Sequence, residues 1–287
     1  MYFDLAMPLT LFAVTLVSLY LNQKTEERLK MTFEEKQFTT RDAVLLVALL
    51  GVMVTLIALA NQYGLMDPLM VLFLFSYSML LFIFTYLFSK SKFLAVLPPA
   101  VFVLLYLFLR STDLWLLYLV NVYAVVFAVL ITLYMGTLFS WKTTWLFTLL
   151  ITVADVILVF VTGTMVEAAN AGLSLRLPIA LVLPIVPFTY TEYGLVRMAL
   201  GLGDFFFAGL LSIQLSKRYG RKSAIVSIAA MAVAFFLFEV YALDLLLVQK
   251  QEVAFPATIV IIFGWLPIGL WKSRSEIRKI LLRKTVK

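Results

Sequence analysis

Long apolar runs separated by short polar stretches dominate the chain. A helix of about 20 apolar residues crosses the hydrocarbon core of a bilayer. Scanning at that length predicts spans at 3–21, 43–60, 68–88, 93–109, 114–138, 143–162, 194–216, 223–247 and 253–271. The run "LPIALVLPIVPF" at 177–188 is also apolar, but it is short and holds Pro178, Pro184 and Pro187. Proline removes a helical N–H donor and clashes with the preceding turn, so this run reads as a re-entrant or surface segment and not as a tenth span. The remaining loops have no room for a soluble domain, and no repeat or low-complexity segment is present. The expected fold class is all-α, a polytopic membrane protein with nine transmembrane helices.

Composition agrees with this pattern. The chain is 63% hydrophobic and 14% charged, against about 45–50% and about 25% in soluble domains. Cysteine and histidine are both absent. Disulfides, Cys/His zinc sites and every Cys–His or Ser–His nucleophile are thereby excluded. Chemistry falls to carboxylates, Lys, Arg, Tyr, Ser and Thr, and no cofactor or metal is expected. The first residues, "MYFDLAMPLT", carry no basic group ahead of the apolar stretch, so this stretch reads as a retained first span and not as a cleaved signal.

Cytoplasmic loops accumulate Lys and Arg. With the N-terminus outside, loop 22–42, Lys90, Lys92, Lys142, the "KRYGRK" stretch at 217–222 and the tail from Lys272 all fall on the cytoplasmic side. Together they hold 19 of the 23 basic residues. The expected topology is an exoplasmic N-terminus and a cytoplasmic C-terminus. The net charge of +7 then reflects membrane orientation, and the lipid bilayer, not nucleic acid, is the expected partner.

Charged residues inside spans are costly, by about 2.5–3.5 kcal/mol for an Asp at a helix centre, and they mark functional sites. Setting aside acids at span ends, such as Asp4, four carboxylates fall within the apolar runs: Asp155, Asp204, Glu239 and Asp244. In the sixth span, Thr144, Thr148, Thr152, Asp155 and Thr162 recur at helical spacing and predict one polar face. In the seventh, Arg197, Gly201, Asp204, Ala208 and Ser212 do the same. Asp155 and Asp204 lie at similar predicted depth, so antiparallel neighbours would bring both carboxylates to one level. Glu239 and Asp244 are five residues apart and project about 140° from each other on a helix, so they form no same-face pair. From the residues alone, a catalytic pair, a proton or ion pathway and structural polar contacts all stay open.

Gly201-Leu202-Gly203-Asp204 resembles the GxGD motif of the intramembrane aspartyl proteases, the family of presenilin and signal peptide peptidase. That family pairs the motif with an Asp in the preceding span and a Pro-Ala-Leu motif at the head of the ninth. Asp155 and Pro256-Ala257 occupy those places here. Two positions depart from the pattern: Ala154 stands where the family has Tyr before its first Asp, and Thr258 replaces the Leu.

The resemblance implies a presenilin-like fold with an N-terminal bundle over 1–138 (spans 1–5) and a catalytic half over 139–287 (spans 6–9 and the basic tail). It implies Asp155 and Asp204 as the catalytic acids, Gly201 and Gly203 as support, and Pro256, Ala257 and Thr258 as substrate-binding positions. One Asp would take a proton from an attacking water while its protonated partner polarises the scissile carbonyl. Substrates would be transmembrane-helix peptides or signal-peptide remnants. The competing expectations are a proton-coupled transporter and an inactive helix-binding relative.

Overall fold

The computed structural model describes residues 2–32, 37–192, 194–248 and 256–285. Lys36, Lys250 and residues 253–255 at the predicted start of the ninth span lie outside the described residues, as do the tail's basic side chains beyond Arg274.

The helices are α1 (Ala6–Thr32), α2 (Thr40–Gln62), α3 (Met66–Ser89), α4 (Lys92–Leu109), α5 (Val120–Leu138), α6 (Trp141–Val156), α7 (Thr164–Ser174), α8 (Leu202–Tyr219), α9 (Arg221–Leu247) and α10 (Ala257–Thr285). A π-helical turn, Trp115–Leu119, leads into α5, and a second, Ile157–Val161, follows α6. Among the described residues, seven helices are long and apolar enough to cross a membrane: α1 to α4, α5 and α6 with their π turns, and α9.

The predicted seventh span is corrected. Residues 194–201 are extended, and α8 begins only at Leu202. Strand β4 (Arg197–Gly201) pairs antiparallel with β1 (Ala180–Pro184), in register from Ala180↔Gly201 to Pro184↔Arg197. Between them lie the short strands β2 (Tyr190–Thr191) and β3 (Gly194–Leu195), paired with each other. The proline-bearing run at 177–188 is thus one arm of a hairpin whose other arm was assigned to a helix. Arg197 and Gly201 share no helical face with Asp204.

Helix α8 is the centre of the bundle. Every residue from Phe205 to Leu215 is buried, and α1, α5, α6, α9 and α10 pack around it. A helix shielded from lipid can carry Ser212, Gln214 and Lys217. Gln214 Nε2 donates to the carbonyls of Gly136 (3.0 Å) and Phe139 (2.8 Å), and Lys217 Nζ donates to Gly136 at 2.9 Å. These carbonyls belong to the end of α5 and the residue after it, and helix-end carbonyls need partners that lipid does not supply. Lys217 also pairs with Glu26 of α1 at 3.0 Å, so α1, α5 and α8 are tied together at one end.

The approach to β1 is held by aromatic tips. Tyr106 Oη donates to Leu175 (2.8 Å), Trp115 Nε1 to Arg176 (2.8 Å) and Tyr77 Oη to Pro178 (3.2 Å), all at backbone carbonyls. The three rings belong to one buried stack with Phe102, Tyr123 and Phe127. Apolar bodies fill the space between α3, α4 and α5 while polar tips satisfy irregular backbone. At the hairpin's other end, Asp4 Oδ1 accepts from Val186 N–H at 2.8 Å, and Leu5 N–H donates to Val186 at 2.9 Å. The hairpin that leads into α8 is therefore anchored at both ends.

Candidate active site

Asp155 ends α6. That helix starts at a reciprocal cap: Ser140 Oγ accepts from Thr143 N–H (3.3 Å) and Thr143 Oγ1 from Ser140 N–H (2.9 Å), satisfying two orphan donors. Thr144, Thr148 and Asp155 are buried along one face as predicted. Thr152 is half-buried, and Thr162 departs from the face. The π turn after Val156 closes through an N–H of Thr162 bonded to Ile157, five residues back, which breaks the 3.6-residue register and leaves Thr162 exposed. A π turn beside a buried acid fits their general concentration at functional sites.

Asp204 is the third residue of α8, not a mid-helix residue as its predicted depth implied. Gly201 is the N-cap, with extended backbone (φ −65°, ψ 148°), and Asp204 accepts a hydrogen bond from the Gly201 N–H. This is the returning half of a capping box, and it sets the carboxylate at the positive end of the helix dipole. The motif's glycines have different surroundings. A Cβ at Gly201 would lie 3.2 Å from Asp204 Oδ2, whereas one at Gly203 meets no atom within 4 Å. Gly201 gives the carboxylate room, and Gly203 is exposed beside it.

Helices α6, α8 and α10 pack together, and Asp155 lies within electrostatic range of Asp204. Asp155 is buried at 9% exposure, and Asp204 is half-buried. Thr258, the second residue of α10, donates its hydroxyl to Asp155 Oδ2 at 2.6 Å and is itself buried. Pro256 sits just ahead of α10, buried, and its carbonyl accepts from Ile259 N–H at 3.1 Å. Ala257 is half-buried between them. Each acid thus has its own donor, Thr258 for Asp155 and the Gly201 amide for Asp204, from two separate elements.

The other predicted charges lie elsewhere. Glu239 is 1% exposed, and neither carboxyl oxygen has a hydrogen-bond partner. Its charged neighbour is Asp4, which also caps α1 by accepting from Ala6 and Met7 N–H. Asp244 is half-buried further along α9, and Arg197 is exposed on β4.

Sequence reasoning did not find the Thr258–Asp155 bond, since Thr258 stood out as a departure from a motif and as an expected substrate-binding position, not as a partner of the acid. It also missed Asn121, whose side chain holds the hairpin at Val182. The available signal was a lone amide in an otherwise apolar fifth span. Comparison with family models and with curated proteins finds no match, so the functional reading rests on the side chains themselves.

Proposed function

We propose that this chain is an intramembrane aspartyl protease that hydrolyses peptide bonds within transmembrane segments or signal-peptide remnants. The observation that carries the reading is that Asp155 and Asp204, on separate helices, lie within electrostatic range of each other, each with its own hydrogen-bond donor. On this reading one proton is shared between the two carboxyls. The ionised member draws a proton from water as it attacks, and the protonated member donates to the developing oxyanion. No covalent enzyme intermediate is needed. The exposed backbone at Gly203 gives the scissile peptide a close approach to Asp204.

The distribution of basic residues supports an exoplasmic N-terminus, an orientation like that of signal peptide peptidase. We therefore assign as substrates single-span segments with a cytoplasmic N-terminus. The test of the reading is binding of a peptide whose scissile amide is replaced by a hydroxyethylene group. The full-length protein in liposomes binds this mimic and loses it on Asp155→Ala. Equal binding by wild type and variant would overturn the assignment.

Thr258 has a separate consequence. Thr258→Val removes the donor to Asp155 while keeping shape, and a hydrogen bond to a charged group contributes about 1.5–3 kcal/mol. Turnover falls by about tenfold or more and its pH profile shifts, with Thr258→Ser restoring both. An unchanged pH profile in the valine variant would show that the hydroxyl serves packing alone.

A further inference from the structure

Two cations from different helices meet at one ring near the basic end of the bundle. Lys24 Nζ, on α1, lies 4.5 Å from the centroid of the Tyr20 ring. Arg221 Cζ, at the start of α9, lies 5.6 Å from the same centroid. Tyr20 and Lys24 are four residues apart, on one face of α1, and α1 packs against α9. All three side chains are exposed.

The two charges have no acidic partner among the described residues. Glu26 is engaged by Lys30 at 2.8 Å and by Lys217 at 3.0 Å. Glu27, three residues beyond Lys24, makes no ion pair with either cation. Like charges held close together repel, and an exposed cation–π contact offsets little of that. Arg221 and Lys222 also open α9, whose first turn holds no acid, against the preference of the helix dipole. The arrangement calls for an anion.

We propose that Lys24 and Arg221, held against Tyr20, bind the phosphate of one anionic phospholipid at the seam between α1 and α9. A lipid fits better than a soluble phosphate because an apolar path leads from the cations along both helices. On α1, Val17 and Ala13 continue the exposed stripe of Lys24 and Tyr20. On α9, Ile225, Ala229 and Ala232 follow Arg221 at helical spacing and are half-buried. The seam ends where Phe3 meets Phe236, with ring centroids 6.3 Å apart. From Arg221 to Phe236 it runs about 23 Å at 1.5 Å per residue, longer than the roughly 15 Å of one leaflet. The headgroup thus meets the cations while an acyl chain covers small apolar residues, as basic pockets between membrane helices do with anionic lipids. Phosphatidylcholine would bring a third positive charge to the ring. The inference stands apart from the protease reading.

The test titrates phosphatidylglycerol into the full-length protein in a non-ionic detergent and follows the thermal unfolding midpoint. A ligand that binds only the folded state raises that midpoint. Phosphatidylglycerol raises it, whereas phosphatidylcholine and inorganic phosphate at the same concentrations do not. Lys24→Gln and Arg221→Gln keep an apolar stem and remove one charge each from an exposed position, so lipid-free midpoints match the wild type. Each variant needs about fivefold more phosphatidylglycerol for half the rise, the contribution of one basic residue beside anionic lipid. Lys92→Gln removes an exposed charge at the start of α4 and leaves the response unchanged, which separates a built site from bulk attraction. An equal loss in the Lys92 variant, an equal rise with phosphatidylcholine or inorganic phosphate, or a wild-type response in the Lys24 and Arg221 double variant would overturn the proposal.

Discussion

If the proposed protease mechanism holds, replacing Asp204 with asparagine lowers peptide hydrolysis by at least about 10³-fold, within the range that positioned acid–base groups contribute. Asparagine keeps the shape and still offers an oxygen to the Gly201 amide that Asp204 now accepts. The helix cap therefore survives, and the thermal unfolding midpoint stays near the wild-type value. What disappears is a group able to take or give a proton. In the proposed mechanism Asp155→Asn has the same effect, because one proton is managed by two carboxyls and neither works alone. The double variant is no slower than either single variant, as expected for residues that act as a unit. Initial rates with a labelled transmembrane peptide in liposomes check this. Losses that multiply in the double variant would contradict a shared proton.

The second large effect is structural. Gly264 lies where α10 crosses α9, and a Cβ there would sit 2.5 Å from Met231 Cα and 2.7 Å from both the Met231 N and the Ala230 carbonyl oxygen. These are backbone atoms, so no side-chain rotation relieves the clash, and small residues are what permit such close approach between membrane helices. Gly264→Ala separates the two helices and costs about 3 kcal/mol or more. The separation also moves the α10 end that carries Thr258, so the bond to Asp155 weakens along with packing. Thermal unfolding in detergent shows a clear drop in midpoint, and turnover falls with it. Gly203→Ala is the control, since no atom lies within 4 Å of its added methyl and the midpoint does not fall. Matching midpoints for the two variants would contradict the α9–α10 contact.

Much of this was legible in the sequence, for physical reasons that differ between elements. Apolar runs of bilayer length marked each predicted span that appears as a long helix from α1 to α6, and α9. Hydropathy reports the solvent around a helix, and these helices meet lipid on at least one face. It misplaced the seventh span because β4 is as apolar as a helix would be. A short apolar run carries no periodicity that separates strand from buried helix, and the pairing that decides it comes from Ala180–Pro184, distant in sequence. The depth of Asp204 was misread with it.

The acids themselves were legible because a carboxylate in an apolar run is costly and therefore conspicuous. Their supporting groups were not. Thr258 and Asn121 act across more than 60 residues of sequence, and only the folded chain brings each to its partner. Glu239 was conspicuous for the same reason as the acids, yet it lies beside Asp4 and not beside Asp155.

The most direct measurement of the central claim uses water labelled with oxygen-18. If Asp155 and Asp204 together deliver water to a peptide carbonyl, the full-length protein in liposomes releases fragments whose new carboxyl terminus carries the label, read by mass spectrometry. Neither asparagine variant produces labelled fragments. Labelled fragments at the wild-type rate from either variant, or no fragments from the wild type, would contradict the account.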